Sequence, residues 1–168
     1  MLPAYAANMA PVIFKDRFKR FAVPIDNGAA FRGRPLFGSH KTVRGLIIGI
    51  LVAVIIAGLQ FLLYQSPFFQ KLSFTDYAKW ALFGFLMGSG ALIGDLFKSF
   101  IKRRVGIRPG ARFIPFDQID FVIGALLFSL LAVGITWAIA LTCIALSFVL
   151  HIGTNHLAFW LKIRNEKW

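Results

Sequence analysis

The stretch LIIGILVAVIIAGLQFLLY, residues 46–64, decides the class of this protein because it is nineteen residues long and contains no charged side chain. A helix that crosses the hydrocarbon core of a bilayer needs about 20 predominantly apolar residues. A second stretch, residues 121–161, runs for forty-one residues without Asp, Glu, Lys or Arg. This is long enough for two such helices, so the sequence predicts a membrane protein.

The composition of the whole chain favours the same class. Of the 168 residues, 58% are apolar and 15% are charged, whereas soluble domains contain roughly 25% charged residues. Cys143 is the single cysteine, which excludes an internal disulfide framework and a zinc site built from several thiolates. The N-terminal segment lacks the basic start of a cleavable signal peptide, so we expect it to form part of a first helix.

The apolar segments predict one all-α integral-membrane domain over residues 1–168, with about five transmembrane helices. One of these helices contains several glycines at a spacing of four, which would let a neighbouring backbone approach closely. These glycines are Gly84, Gly88, Gly90 and Gly94. The helices are placed at about residues 1–15, 43–64, 77–97 with a possible extension past Lys102, 117–135 and 137–161, and the two long loops at about residues 16–42 and 98–116.

The distribution of positive charge predicts the orientation. Of the nineteen Lys and Arg side chains, all except Lys71 and Lys79 lie within two residues of the two long loops or after the last helix. Cytoplasmic loops of membrane proteins are enriched in Lys and Arg. We therefore expect a multi-pass protein of the cell membrane with its N-terminus outside, its C-terminus inside and both long loops in the cytoplasm.

The stretch GDLFKSFIKRRVGIRPGARFIPFDQID, residues 94–120, holds three of the seven acidic residues and six of the nineteen basic ones. Such charges neutralise one another in a solvated loop, but ionisable groups at the ends of apolar helices are costly and indicate function. Helical spacing places the acidic and polar side chains on shared faces. These are Asp95, Ser99 and Lys102 at i, i+4 and i+7, and Asp117 with Asp120 at i and i+3.

These residue types suit phosphate chemistry. Carboxylate oxygens are ligands for Mg²⁺, and Lys and Arg side chains bind phosphates. Together they predict phosphoryl or nucleotidyl transfer at an active site that faces the cytoplasm. An ion or phosphate transporter remains an alternative, whereas nucleic-acid binding is disfavoured because the cations are mixed with carboxylates and lack regularly spaced stacking aromatics.

The motif GDLFKSFIKRRVGIRPG followed by PFDQIDFVIGAL resembles the signature region of archaeal CDP-archaeol synthases, membrane cytidylyltransferases related to CDP-diacylglycerol synthases. The resemblance extends to YAANMAPVIF, PIDNG, FRGRPLFG and HKTVRG, and so covers most of the chain. It implies a Mg²⁺-dependent reaction. CMP would pass from CTP to the isoprenoid ether-lipid phosphate 2,3-bis-O-(geranylgeranyl)-sn-glycerol 1-phosphate, giving CDP-archaeol and diphosphate.

The resemblance also implies residue roles. The catalytic residues would be Asp95, Ser99, Lys102, Arg103, Asp117 and Asp120, with Asp95, Asp117 and Asp120 as the metal ligands. Among substrate-binding residues the family pattern includes Pro109 and Gly110. The basic loops add further substrate-binding candidates, which are Asp26, Asn27, Arg32, Arg34, His40, Lys41, Arg44, Lys98, Arg104 and Gln118. A related enzyme that uses diacyl phosphatidic acid stays open as an alternative, and so does pairing of two chains into a homodimer.

Overall fold

A computed structural model describes residues 1–73, 75–108 and 111–160 of the chain. The described residues form a bundle of helices that packs around α4. The helices are α1 Leu2–Ile13, α2 Val43–Tyr64, α3 Pro67–Lys71, α4 Trp80–Arg104, α5 Phe116–Ser129 and α6 Trp137–Trp160. Between α1 and α2 lie a 3₁₀ turn, Lys19–Phe21, and two short strands, β1 Ala30–Phe31 and β2 Arg34–Pro35.

The helices differ from the expected ones in several of their ends and in one additional short helix. Helix α4 continues to Arg104, so the extension past Lys102 is present. Helix α5 ends at Ser129, whereas the apolar pattern places its end near residue 135. After three further residues in turns, Val133 to Thr136 are glycine and β-branched side chains, which disfavour continuation of the helix to residue 135. The short helix α3 was not predicted, because its five residues are too few to give a periodic apolar pattern.

Helix α2 presents its small residues to the protein and its large apolar residues outward. Its buried positions recur at every fourth residue, and large aliphatic side chains on the other faces stay about half exposed. The buried residues are Gly45, Gly49, Ala53 and Ala57, and the exposed ones include Ile47, Leu51, Ile55, Leu59 and Leu62. This is the reverse of a helix in a water-soluble protein and suits a helix surrounded by hydrocarbon.

The glycines of α4 allow close helix packing on both of its sides. A Cβ atom at Gly88 would lie 2.6 Å from the Ala53 Cβ of α2, closer than side chains tolerate. A Cβ atom at Gly94 would lie 3.1 Å from the backbone carbonyl carbon of Asp120 in α5. The predicted role of these glycines in backbone approach is therefore confirmed.

Helix α4 ends in a Schellman motif. Gly106 adopts a φ of 81°, the left-handed conformation that glycine takes without strain. The Ile107 N–H donates to the Lys102 carbonyl over 2.9 Å, and the Gly106 N–H donates to the Arg103 carbonyl over 3.4 Å. The helix therefore ends at Arg104, two residues after Lys102.

The hairpin between α1 and α2 departs from the all-α prediction. Strands β1 and β2 are antiparallel, with Ala30 opposite Pro35 and Phe31 opposite Arg34. The two linking residues, Arg32 and Gly33, have φ values of 52° and 72°. Two consecutive positive φ angles are the geometry of a type I′ hairpin turn. The sequence Arg-Gly is an uncommon choice for that turn, so its pattern did not indicate a hairpin.

Among the described residues, α2 and α4 are long and apolar enough to cross a membrane. Helix α6 contains a shorter apolar stretch, Trp137–Gly153. Helices α1 and α5 are shorter again, at 12 and 14 residues. The long connection that carries the hairpin and the C-terminus of α4 lie at the same end of the bundle, and the candidate site is found there.

Candidate active site

Three carboxylates from two helices converge on one ammonium group. Asp95 and Lys98 lie one turn apart on α4, and Asp117 and Asp120 lie in the first two turns of α5. The Lys98 Nζ is 3.1 Å from Asp95 Oδ1, 3.2 Å from Asp117 Oδ1 and 3.0 Å from Asp120 Oδ2. The structure thus brings together the three predicted metal ligands, with a lysine between them.

Two further lysines complete this cluster of charges. Lys41, from the connection before α2, donates a short hydrogen bond to Asp95 Oδ2. Lys102 donates to the two oxygens of Asp117 over 3.1 and 3.3 Å, and it also donates to the Ala111 carbonyl. Three ammonium groups therefore face three carboxylates. We call these six residues, Lys41, Asp95, Lys98, Lys102, Asp117 and Asp120, the charge cluster.

The predicted face of α4 is largely buried. Ser99 and Lys102 are 6% and 7% exposed, and Arg103 beside them is 7% exposed. Together with Phe37, His40, Lys41 and Lys98 they line a cavity of about 230 Å³, which we call the side cavity. Its lining is dominated by hydrogen-bond donors and positive charge, which suits phosphate oxygens.

A larger cavity lies on the other side of Lys41. It has a volume of about 580 Å³ and is enclosed by α1, α2, α4 and the connection between α1 and α2. We call it the main cavity. Its polar lining residues include Asn8, Lys15, Ser39, His40, Lys41, Thr42, Arg44 and Asp95. His40 and Lys41 line both cavities, so these two side chains stand where two anionic groups could meet.

Asp26 organises the first connection. Its Oδ2 accepts hydrogen bonds from the N–H groups of Phe37 and Gly38 over 3.0 and 3.2 Å, and its Oδ1 accepts one from Gly28 over 3.2 Å. The hydrogen bond from Phe37, with those from Gly38 and Gly28, holds the pKa of Asp26 below its ordinary value. The structure therefore gives this carboxylate a role in loop geometry. Neighbouring Asn27 is exposed, with a φ of 45°.

Arg34 and Arg104 join the hairpin to the end of α4. Arg34 donates to the carbonyls of Arg103 and Arg104 over 3.3 and 2.6 Å. In return, Arg104 donates to the carbonyls of Phe31, Arg34 and Pro35. These reciprocal bonds, which we call the arginine clasp, occupy much of the donor capacity of both guanidinium groups. Arg32 remains exposed beside the Phe31 ring, 5.5 Å from its centroid.

Several buried polar atoms near the charge cluster lack a hydrogen-bond partner among the described residues. They are Arg103 Nε, Gln118 Oε1 and Asp120 Oδ2, the last of which contacts Lys98 as an ion pair. Buried polar atoms are normally satisfied, so each exception calls for an explanation such as a bound ion or a catalytic role. These three atoms therefore leave hydrogen-bonding capacity for a ligand at this end of α4 and α5. Pro109 and Gly110, also predicted to bind substrate, lie outside the described residues.

The charge cluster fits a hard cation in its chemistry. Carboxylate oxygens are the donors that Mg²⁺ prefers, together with substrate phosphates. As arranged here, no three acidic, His or Cys side chains in residues 1–73, 75–108 and 111–160 form a group that could hold a metal ion. The Lys98 ammonium lies between the carboxylates and supplies the positive charge. A cation would therefore need Lys98 to withdraw.

Some lining residues were not predicted from the sequence. Lys15 was counted only as a cytoplasmic charge, yet it lines the main cavity with Asn8 and Pro11 of α1. Asn8, Pro11 and Lys15 stand at i, i+3 and i+7, the spacing of one helix face. This periodicity could have identified Lys15. Thr42 could have been recognised as the N-cap of α2. Its side chain accepts a hydrogen bond from the Gly45 N–H over 3.1 Å.

Comparisons with known proteins match nearly the whole chain. The family described as CarS-like, CDP-archaeol synthase, matches residues 1–168. A CDP-archaeol synthase from Saccharolobus islandicus (strain L.S.2.15) is 43% identical over 173 residues, which cover 99% of this chain and 92% of the relative. The CDP-archaeol synthase from Methanosarcina acetivorans is 35% identical over 184 residues and is matched over 100% of both chains.

Similarity to a solved structure extends to the fold. It is that of an intramembrane enzyme for archaeal membrane lipid biosynthesis, and it matches with a TM-score of 0.76 at 32% sequence identity. The match covers 92% of this chain and 89% of the other. With the apolar helices α2 and α4, this similarity identifies a membrane protein. The chain belongs to the CDP-archaeol synthase family.

Proposed function

We propose that this protein transfers CMP from CTP to the phosphate of 2,3-bis-O-(geranylgeranyl)-sn-glycerol 1-phosphate, giving CDP-archaeol and diphosphate in archaeal membrane lipid biosynthesis. Family membership over residues 1–168 supports this activity. The observation that carries it is the charge cluster, in which three carboxylates and three ammonium groups lie beside two cavities at one end of the helix bundle.

The reaction needs positioned charge more than it needs a strong base. A phosphate oxygen of the lipid attacks the α-phosphorus of CTP, a new P–O bond forms, and the bond to the departing diphosphate breaks. The lipid phosphate is already anionic at neutral pH, so no side chain has to remove a proton from it. The protein must bring two anions together and stabilise the negative charge that moves onto diphosphate.

The residues of the charge cluster can meet both demands. Lys41 and His40 lie between the main and side cavities and would face the lipid phosphate and the triphosphate. Lys98, Lys102 and Arg103 line the side cavity and would hold the triphosphate. Asp95, Asp117 and Asp120 would hold Mg²⁺, which neutralises phosphate charge and stabilises the leaving diphosphate.

The orientation in the membrane can be inferred from the end of the bundle that carries the charge cluster. We infer that α1, α2, α4, α5 and α6 cross the bilayer, that the N-terminus lies outside and that the charge cluster faces the cytoplasm. The positive-inside rule supports this orientation, because the charge cluster lies at the end of the bundle that carries the basic connections. Lys71, on α3, and Lys79 lie at the opposite end. A homodimer remains a prediction.

The test is formation of a CDP-lipid by the purified protein in detergent with Mg²⁺ and CTP. The geranylgeranyl ether phosphate and diacyl phosphatidic acid are offered in parallel, and products are separated by mass spectrometry. Product from the ether lipid alone supports the proposal. Product from phosphatidic acid alone assigns the related diacylglycerol reaction, and product from neither, with folded protein, turns the assignment toward a transporter.

A further inference from the structure

A cavity beside the hairpin lies outside the candidate active site. It has a volume of about 530 Å³ and is lined by two aromatic and three arginine side chains, which are Phe31, Arg32, Arg34, Phe100 and Arg104. We call it the hairpin cavity. None of these five residues lines the main cavity or the side cavity. The hairpin cavity is therefore a separate feature at the same end of the bundle.

Helix α4 separates the hairpin cavity from the side cavity. Ser99, Lys102 and Arg103 line the side cavity, whereas Phe100 and Arg104 line the hairpin cavity. The first three residues are spaced i, i+3 and i+4, and the other two are spaced i and i+4, so each set occupies one face of the helix. The charges of the candidate active site and the arginines of the hairpin thus belong to different surfaces.

The three arginines of the hairpin cavity carry positive charge that is not neutralised by a carboxylate. Within residues 1–73, 75–108 and 111–160, no ion pair joins Arg32, Arg34 or Arg104 to an acidic side chain. The carbonyl groups of the arginine clasp accept hydrogen bonds but carry no net charge. In the charge cluster, by contrast, every ammonium group faces a carboxylate. The hairpin cavity therefore attracts an anion.

Hydrogen-bond donors are available for such an anion. The Arg32 side chain is exposed at the hairpin turn. Arg34 uses its Nη1 group for the clasp, which leaves the Nη2 and Nε groups of a five-donor guanidinium. The Arg104 Nε is buried and has no hydrogen-bond partner among the described residues. Guanidinium groups bind phosphate oxygens through paired hydrogen bonds, so a phosphate matches this cavity.

The two aromatic rings hold the Arg104 guanidinium between them. Its central carbon is 5.4 Å from the centroid of the Phe31 ring and 5.1 Å from that of the Phe100 ring, which is the geometry of cation–π contacts. The Phe31 side chain is still 49% exposed. Aromatic rings beside cations are typical of protein surfaces at the head-group region of a bilayer.

The position of the hairpin cavity on α4 indicates where the phosphate comes from. Ile93 and Phe97 are 43% and 65% exposed, and they share one helix face with Phe100 and Arg104, at i, i+4, i+7 and i+11. An exposed apolar face on a helix long enough to cross a membrane contacts hydrocarbon. The hairpin cavity lies where this face ends, at the level of the lipid head groups.

We propose that the hairpin cavity binds the phosphate head group of an anionic phospholipid of the bilayer, a lipid that is not the substrate. Arg32 contacts the phosphate, and Phe31 lies at the head-group level. Because the arginine clasp joins the hairpin to the end of α4, the bound lipid anchors that end at the membrane surface. The inference goes beyond the proposed function. It requires that α4 crosses the bilayer and does not require any catalytic activity.

Chemical modification of arginine tests the location without turnover. The full-length protein is placed in nanodiscs of phosphatidylcholine, with or without phosphatidylglycerol, and treated with phenylglyoxal, and modified peptides are quantified by mass spectrometry. Phosphatidylglycerol should slow modification of Arg32 about tenfold, the size of one charge-assisted hydrogen bond. Arg20 is exposed outside the cavity and should change little. Equal slowing of both arginines, or no slowing of Arg32, would overturn the proposal.

The same assay distinguishes a lipid head group from a soluble phosphate. In nanodiscs of phosphatidylcholine alone, neither CTP nor inorganic phosphate should slow the modification of Arg32. Protection by either anion would show that the hairpin cavity binds a soluble ligand, and it would overturn the lipid assignment. Formation of a CDP-lipid is measured separately, so failure of this proposal leaves the proposed function in place.

A matched pair of variants tests selectivity for the head group. Arg32→Asn removes the charge, and asparagine tolerates the φ of 52° at this position. Arg20→Asn removes the same charge outside the cavity. Each protein is released from detergent into a native mass spectrometer with equal amounts of diphytanyl phosphatidylglycerol and diphytanyl phosphatidylcholine, which share their hydrocarbon chains.

The wild type and Arg20→Asn should retain phosphatidylglycerol in preference, and Arg32→Asn should lose most of this preference. A wild type that retains both lipids equally would contradict the proposal. So would an Arg32→Asn protein that keeps the preference, or an equal loss in the two variants.

Discussion

The two halves of α4 show how one helix serves packing and chemistry. Residues 80–92 contain no charged side chain, and their glycines let α2 and α5 approach closely. Residues 95–104 carry five charged side chains, three of which belong to the charge cluster. Gly94 lies between the halves and against the backbone of Asp120. Close packing in the first half therefore fixes where the carboxylates of α5 meet the charges of the second.

The largest effect should come from removing a charge in the second half. Asp95→Asn keeps the size of the side chain but takes away a carboxylate that pairs with Lys41 and Lys98. We expect CDP-lipid formation to fall roughly 10²–10³-fold, with the protein still folded in detergent by circular dichroism. The control is Asp16→Asn, since Asp16 is exposed and its ion pair with Lys19 is 3.5 Å long. Equal loss in both variants would remove Asp95 from the site.

The next effect should come from the boundary between the halves. Gly94→Ala would put a Cβ atom 3.3 Å from the Gly124 Cα and against the Asp120 backbone, so α5 must shift. We expect about 1–3 kcal/mol of destabilisation, a lower melting temperature and slower turnover, because Asp120 moves with α5.

The matched control for this change is Gly153→Ala in α6. A Cβ atom at Gly153 meets nothing within 4 Å. Melting curves should be unchanged or slightly higher, since alanine is the better helix former. A Gly94 variant as stable and active as the wild type would show that the first half of α4 does not position the second.

A smaller effect should follow from Lys102→Ala. The Lys102 ammonium is buried, pairs with Asp117 and lines the side cavity. We expect the KM for CTP to rise about tenfold, the size of one lost charge-assisted hydrogen bond, with little change in lipid selectivity. Lys19→Ala, at an exposed lysine, should leave both parameters unchanged. A shift in lipid selectivity instead would assign Lys102 to the lipid phosphate.

The smallest effect should come from the arginine clasp. Arg104→Ala removes hydrogen bonds to three carbonyls of the hairpin, and Arg104→Lys keeps the charge but loses the planar fork. Both variants should expose the hairpin to faster tryptic cleavage, with only a few-fold loss of turnover. Lys19→Ala, at an exposed residue outside the hairpin, should leave cleavage after Arg32 at the wild-type rate. Loss of activity without faster cleavage would instead support the predicted role of Arg104 in substrate binding.

Much of the helical architecture could be predicted from the sequence, because apolar length and charge-free runs depend only on local composition. Helix α2 covers the expected residues 43–64, and the shared face of Asp95, Ser99 and Lys102 follows from helical spacing alone. Helical spacing alone does not predict that Asp95 lies close to Asp117 and Asp120. It depends on α4 packing against α5 at Gly94, a contact between residues distant in sequence.

The sequence was least informative about the loops. Counting the cations between α1 and α2 does not separate those that line a cavity, such as Lys15 and Lys41, from those that bond to backbone carbonyls, such as Arg34. Asp26 gave the same difficulty, because a carboxylate that accepts backbone N–H groups has the same sequence signature as one that meets a substrate. Only the three-dimensional hydrogen bonds distinguish these roles.

The charge cluster contains equal numbers of ammonium and carboxylate groups, and this balance affects how CTP would bind. Lys41, Lys98 and Lys102 are already paired with Asp95, Asp117 and Asp120. A triphosphate that enters competes with these carboxylates for the lysines, and each lysine it takes leaves a carboxylate free for another cation. The triphosphate and a cation would therefore bind to the site together, and neither would bind well alone.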